Sequence, residues 1–165
     1  MLYCSSARAT IVLVDRSDGN DVGISRAVYR RLGDHSYTRV FPRRPSSDLL
    51  VRDMVQHPET PTDLSVHRLA EVNTAMNWEG IFALDCATGR ARRLLSRAAI
   101  SFDQPGHGHV SRLVGIEPAE RSLLVEVGFV PDGEPTGRAM PYWIARLRLQ
   151  EARAELLQRL EGTFR

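Results

Sequence analysis

Short apolar runs interleaved with polar residues dominate the chain, and they predict strands. The clearest is 121–130 (RSLLVEVGFV), where Leu123, Val125, Val127 and Phe129 alternate with Ser122, Glu126 and Gly128. A period of two is that of a sheet with one face in a core and the other partly wet. Ala9 to Asp15 (ATIVLVD) is rich in β-branched residues and ends at Ser17-Asp18-Gly19-Asn20, so it reads as a buried strand followed by a turn. Further strands are expected over Ser36–Phe41, Val66–Val72, Trp78–Cys86, Val110–Ile116 and Tyr142–Leu149. In the last of these Trp143, Ala145, Leu147 and Leu149 share the inward face, as Phe82, Leu84 and Cys86 do in Trp78–Cys86. Asp85 to Arg90 (DCATGR) predicts a hairpin turn, because Asp accepts backbone N–H bonds and Gly89 takes a positive φ at little steric cost. Arg92 to Leu95 is then the return strand.

Two segments carry competing patterns. Ile24, Ala27, Val28 and Leu32 before Gly33 fit a helical face with a glycine stop, but the same residues can pair back onto the first strand, and strand is favoured. Gln150 to Leu160 is built of good helix formers. Between these segments, Pro42, Pro45, Pro58 and Pro61 with neighbouring Ser and Thr mark 42–63 as a loop-rich connector. Within it Ser47 to Val55 reads as the one candidate helix, with Ser47 as N-cap.

A repeat bears on the second ambiguity. Ile81–Leu94 laid over Ile144–Leu157 matches Ile81 with Ile144, Leu84 with Leu147, Cys86 with Leu149, Arg90 with Arg153, Ala91 with Ala154 and Leu94 with Leu157. The match favours a return strand over 150–160, since tertiary context often overrides propensity in sheets, with the helix that propensity gives as the alternative. The fold class is therefore mostly β: antiparallel meander sheets in one domain, with at most one or two short helices. It is organised as N-terminal hairpins over 1–41, the connector over 42–63, and two further sheets over 64–165.

Adjacent hairpins, the Asp-x-x-Thr-Gly-Arg turn at Asp85–Arg90 and the Arg-Arg-Leu-Leu that follows resemble blades of the TolB-like or WD40-like β-propellers. Val110–Val127 is similar to the inner strand pair of such a blade, with Glu117-Pro118-Ala119-Glu120 in place of the usual turn. The resemblance covers 64–162 well and 9–41 loosely. It implies four-stranded blades, and this chain holds about three where complete propellers have four to eight. Open sheet edges invite pairing, so self-association or docking on a protein partner is expected.

Composition narrows the function classes. No apolar run approaches the roughly 20 residues of a membrane span. The opening Met1–Ser6 has no basic segment followed by an apolar one, which favours the cytoplasm, with the periplasm or export open if a leader was removed. Cys4 and Cys86 lack any metal-type spacing and are expected as two free thiols, a single bridge being the alternative. The chain contains no lysine, which excludes a lysine phosphate loop, Schiff-base catalysis and a pyridoxal-phosphate anchor. The net charge is only +2 and acidic residues are interspersed with the arginines. Arg43-Arg44 and the group Arg90, Arg92, Arg93 and Arg97 therefore read as solvated faces, and nucleic acid is not an expected partner.

Candidate chemistry is sparse. In Asp103-Gln104-Pro105-Gly106-His107-Gly108-His109, an extended His-x-His places His107 and His109 on one side, and Asp103 or His67 could complete a zinc-type site. The alternative is a Gly-rich loop with surface histidines, since two spaced ligands fall short of the three or four a transition metal needs. Trp78 and Trp143 each open a repeat copy and could cap a ligand pocket, although large aromatics chiefly add buried area. No cofactor is called for beyond that zinc option. The preferred reading is a non-enzymatic interaction or assembly module that binds a protein partner or itself; the alternative is a small metal-dependent or hydrolytic enzyme using the His107/His109 loop.

Overall fold

A computed structural model describes residues 2–4, 8–17, 24–41, 49–60, 62–70, 80–134 and 140–161. Among these residues thirteen strands run in chain order: β1 Leu2–Cys4, β2 Ala9–Ser17, β3 Ile24–Arg31, β4 Tyr37–Phe41, β5 Leu49–Gln56, β6 Asp63–Ala70, β7 Gly80–Asp85, β8 Ala91–Ser96, β9 Ser101–Phe102, β10 Gly106–Glu117, β11 Ser122–Pro131, β12 Tyr142–Arg148 and β13 Arg153–Arg159. They form three sheets, ordered β1-β2-β3-β4, β5-β6-β7-β8 and β10-β11-β12-β13-β9. Every pairing is antiparallel except the short β9, which joins β13 in parallel. The mostly β, antiparallel meander expected from the alternation is what the chain adopts, and the only helical elements among the described residues are two three-residue 3-10 turns.

The repeat extends to the register. In β7–β8 the partners Gly80↔Ser96 and Ile81↔Leu95 are followed by a bulge and then Phe82↔Arg93, Ala83↔Arg92 and Leu84↔Ala91. In β12–β13 Trp143↔Arg159 and Ile144↔Gln158 are followed by a bulge and then Ala145↔Leu156, Arg146↔Glu155 and Leu147↔Ala154. Each pair in one hairpin has its counterpart in the other, and each turn places its positive φ at the equivalent residue, Gly89 (67°) and Ala152 (51°). The inner pairs agree as well: a bulge follows Val51 in β5 and Val110 in β10, and Leu64↔Leu84 and Val66↔Phe82 correspond to Leu123↔Leu147 and Val125↔Ala145. The first sheet holds a third copy that the sequence conceals. There Val28↔Phe41 is followed by a bulge and then Tyr29↔Arg39, Arg30↔Thr38 and Arg31↔Tyr37, closed by a shorter turn in which the Leu32 N–H donates to Ser36 O at 2.8 Å.

These equivalences fix how the sheets stack. One core holds Ile11, Val28 and Phe41 of the first sheet against Val51, Leu64, Val66, Phe82 and Leu84 of the second. The other holds Ile81 and Leu95 of the second sheet against Val110, Leu123, Val125, Ala145 and Leu147 of the third. Val28/Phe41 and Ile81/Leu95 are register equivalents, so each sheet turns the same face to its successor. The stack is head to tail, and the second sheet is buried on both sides, which is why all of Gly80–Leu84 is buried. At about 25 cal/mol per Å² of apolar surface removed from water, such a two-sided strand contributes more per residue than any edge strand.

Three expectations are corrected. The connector 42–63 is not a loop throughout, because β5 lies inside it and begins the second sheet. The candidate helix over Ser47–Val55 is that strand, Ser47 itself being outside the described residues. Its pattern is deceptive because the bulge between Val51 and Asp53 returns Val51 and Met54 to the same core, three residues apart, as a helix would. The cysteines are not free thiols: Cys4 and Cys86 form a disulfide, with Cα atoms 6.4 Å apart, that ties β1 to the turn after β7. Cys86 occupies the position of Leu149 in the third sheet, where the equivalent side chain only packs.

Reducing the bridge, which spans a sequence separation of 82, should lower unfolding free energy by about 2–4 kcal/mol in urea titrations with and without reductant. Replacing Ala152, which sits at φ 51°, by Gly should raise it by up to about 1 kcal/mol, whereas Gly89→Ala should lower it by a similar amount.

Candidate functional site

The His-x-His segment is the start of β10. His107 is opposite Val130 and His109 opposite Gly128, two residues apart and therefore on one face. His107 is exposed, while His109 is half-buried with its ring against Gly128, where Met140 also packs. Asp103 is directed elsewhere. Its Oδ1 accepts the Leu156 N–H at 3.1 Å and its own N–H donates to Ala154 O at 3.0 Å, so it clamps β9 to the bulged part of β13. The backbone of His67 lies in β6 of the second sheet, opposite Asp53 and Ile81, and its side chain is outside the described residues. Among the described residues no three His, Cys, Asp or Glu side chains gather as a metal-binding group.

Trp143 lies between Val127 and Arg159 in the third sheet and packs against the second core, with the Arg159 guanidinium 5.7 Å from its ring centroid. Its Nε1 is buried and has no hydrogen-bond partner among the described residues. Trp78 is outside the described residues, as are Arg43 and Arg44. Arg90, Arg92, Arg93 and Arg97 are exposed, as a solvated face requires.

Two surface clefts stand out. The larger, about 360 Å³, opens between the first and second sheets and is lined by Arg30, Thr38, Arg39, Val40 and the turn Cys86–Gly89. The smaller, about 280 Å³, is lined by Asp103, Arg148, Arg153 and Glu155.

The two ends of the stack differ in chemistry. On the outer face of the third sheet, Arg146 bridges Glu117 (2.6 Å) and Glu155 (3.1 Å), Arg148 approaches Glu155, and Arg112 pairs with Glu126 at 3.3 Å. The Arg146 guanidinium holds the Glu117 carboxyl below its usual range, while Glu117 and Glu155 raise the pKa of Arg146. Arg146 is the register equivalent of Ala83, which is buried between sheets. A face of paired charges is a solvated end. The outer face of the first sheet carries instead a row Tyr3–Thr10 and Arg31–Tyr37, then Val12–Tyr29–Arg39. Tyr3 is 63%, Tyr37 49% and neighbouring Val14 38% exposed. Val12, Tyr29 and Arg31 stand at the positions of Val66, Phe82 and Leu84, and of Val125, Ala145 and Leu147, which the preceding sheet covers.

His57 was not singled out in the sequence, and it organises the β5–β6 loop. Its Nδ1 accepts the N–H groups of Glu59 (3.2 Å) and Thr60 (3.1 Å), an arrangement that requires the neutral ring with its proton on Nε2. Burial lowers its pKa against the opposing pull of Asp63 and Glu59, with Arg92 adding to the lowering. The signal in the sequence is His-Pro-x-Thr-Pro, where a ring nitrogen can stand in for a turn-forming carboxylate.

No family model matches the chain, and no curated protein or solved structure shows significant similarity to it.

Because the folded protein binds a proton at His57 less readily than the unfolded chain, stability should be full above about pH 6.5 and decline as the pH falls below it. Thermal melts at stepped pH should show this slope in the wild type and a flatter one in His57→Gln. A slope between pH 6.5 and 5 unchanged by the substitution would assign it to other groups.

Proposed function

We propose that the chain is a non-enzymatic assembly module that associates through the outer face of its first sheet, the occupant being the same face of a second copy. What carries this reading is the open face itself: Val12, Tyr29 and Arg31 occupy positions that a neighbouring sheet covers twice elsewhere in the molecule. Exposed aromatics on a sheet are unusual for a surface with no partner, and Tyr combines large contact area with a polar tip. The ion-paired outer face of the third sheet acts as a solvated cap of the kind that terminates repeat stacks, leaving the first sheet as the end that grows. A two-fold, isologous pairing is the commonest closed form of self-association.

The three sheets are read as blades of the propeller type. Their meander order, shared bulge positions and successive same-face stacking support the resemblance found in the hairpin turn. No helix among the described residues is long and apolar enough to cross a membrane. The Cys4–Cys86 bridge supports an oxidising compartment, periplasmic or exported, over the cytoplasm.

Sedimentation velocity over a concentration series tests the assembly reading. A monomer–dimer equilibrium is expected in the wild type, weakened at least tenfold (about 1.4 kcal/mol) by Tyr37→Glu or Tyr3→Glu with melting temperature unchanged. A wild type that stays monomeric at every concentration, or variants that dimerise equally well, would overturn it.

A further inference from the structure

The first sheet has a long open edge among the described residues. β1 is three residues long and pairs only with Ala9, Thr10 and Ile11, whereas β2 runs on to Ser17. From Val12 onward no described strand pairs with β2 on that side. The same line is filled in both other sheets. Val12 and Val14 are the register equivalents of Val66 and Arg68 in β6 and of Val125 and Val127 in β11. β5 pairs along β6 as far as Leu49↔Ala70, and β10 along β11 as far as Gly106↔Pro131.

An unpaired edge presents main-chain N–H and C=O groups to whatever can pair with them, and natural sheets blunt such edges with proline, bulges or charge. This edge is regular. β2 pairs with β3 from Ile11 to Ser17 without a bulge, and the open stretch begins Val12-Leu13-Val14, with Asp15 and Arg16 only at its far end. Val14 is 38% exposed.

The molecule shows twice what such an edge takes. In β5, Val51 stands opposite Arg68 and Met54 opposite Val66, with Arg52 bulged between them. In β10, Val110 stands opposite Val127 and Leu113 opposite Val125, with Ser111 bulged. Each apolar pair enters a core, Val51 and Met54 the first, Val110 and Leu113 the second. Carried over to β2, the two apolar residues lie opposite Val14 and Val12, on the side of the sheet that carries Tyr29. A second copy of β2 lacks this pattern, because an unbulged strand returns to one face every two residues and not every three.

We propose that the β2 edge from Val12 to Ser17 is a strand-addition site for an extended segment of a partner protein. The segment carries two apolar residues three apart around a polar pair, as Val51-Arg52-Asp53-Met54 and Val110-Ser111-Arg112-Leu113 do. It runs antiparallel to β2, in the direction of β1, and its end meets Leu2, which the Cys4–Cys86 bridge helps to hold in place. Main-chain pairing supplies affinity in this mode of recognition, and the side chains on one face supply selectivity. The site is an edge and not a face, so it needs no pairing between copies.

Fluorescence anisotropy with a labelled peptide of the sequence Gly106–Glu117, titrated with the full chain, tests the proposal. Saturable binding is expected with a Kd of about 10–100 μM. Hydrogen exchange of the complex should show protection gained over residues 12–17. A peptide carrying Val110→Glu and Leu113→Glu should bind at least tenfold more weakly, and Val14→Glu in the protein should weaken binding at least fivefold with the melting temperature unchanged. Tyr37→Glu, which separates paired copies under the assembly reading, should bind the peptide as the wild type does, so the two readings stand or fall separately. Absence of binding at 1 mM peptide (about 4 kcal/mol,), or binding that leaves residues 12–17 unprotected, would overturn the proposal. So would protection of residues 12–17 that grows with protein concentration alone, which would make the occupant the same edge of a second copy.

Discussion

The structure depends on burying the second sheet on both faces. β7 is the clearest expression of this: Phe82 and Leu84 point into the core shared with the first sheet, and Ile81 into the core shared with the third. A sheet buried on one side only needs alternation, whereas a sheet buried on both needs an almost continuous apolar strand, and GIFAL is one. Neither outer sheet has a strand buried in this way among the described residues: the apolar run Ile11–Val14 of β2 is buried at Ile11, half-buried at Val12 and Leu13 and exposed at Val14. The outer sheets are thus held chiefly by what they offer the middle one, and the middle one supplies a template on each side. The Cys4–Cys86 bridge adds a covalent tie to one of the two interfaces, and the Gln150–Glu59 hydrogen bond at 2.8 Å is a polar tie across the other.

Bulges give the stack its common geometry. In each outer hairpin one extra residue, Val40, Leu94 or Leu157, is inserted at the same point, and in the inner pairs Arg52 and Ser111 are. A bulge bends the strand and increases its twist locally, so placing it at one register position in every sheet gives all three a common shape that can nest. The polar contacts around these points follow suit. Asp103 accepts the Leu156 N–H beside the bulge in β13, and Asp53 accepts the Leu113 N–H beside the second bulge of β10 at 3.3 Å. Asp103, a candidate metal ligand in the sequence, and Asp53 serve here to satisfy main chain beside the bulges.

Much of the architecture was legible because it is local. Alternation in 121–130, the turn at Asp85–Arg90 and the similarity between two hairpins each depend on residues within a few positions of one another. The first sheet's copy was not legible because the repeat survives there only as register: Leu32 and Ser36 close its turn where Asp85 and Arg90 close another, and the loop is a residue shorter. β5 was misread for the opposite reason, since its bulge gives Val51 and Met54 a helical spacing. Features made by topology were out of reach. Cys4 meets Cys86, and Arg30 of the first sheet meets the Ala87 turn of the second, only once the sheets are stacked; nothing in spacing announces either. The His107/His109 pair is the reverse case, a pattern plain in the sequence whose proposed third ligand, Asp103, is engaged with the backbone of β13.

Native-state hydrogen exchange is the most direct test of the two-sided burial. The amides of Phe82, Ala83 and Leu84 should exchange only through global unfolding, with protection equal to the full stability, while those of the edge strand β4 and of the short β9 exchange through cheaper local openings. Exchange at Phe82 and Leu84 as fast as in β4 would mean that the second sheet is not enclosed by its neighbours, and the head-to-tail stack would have to be abandoned.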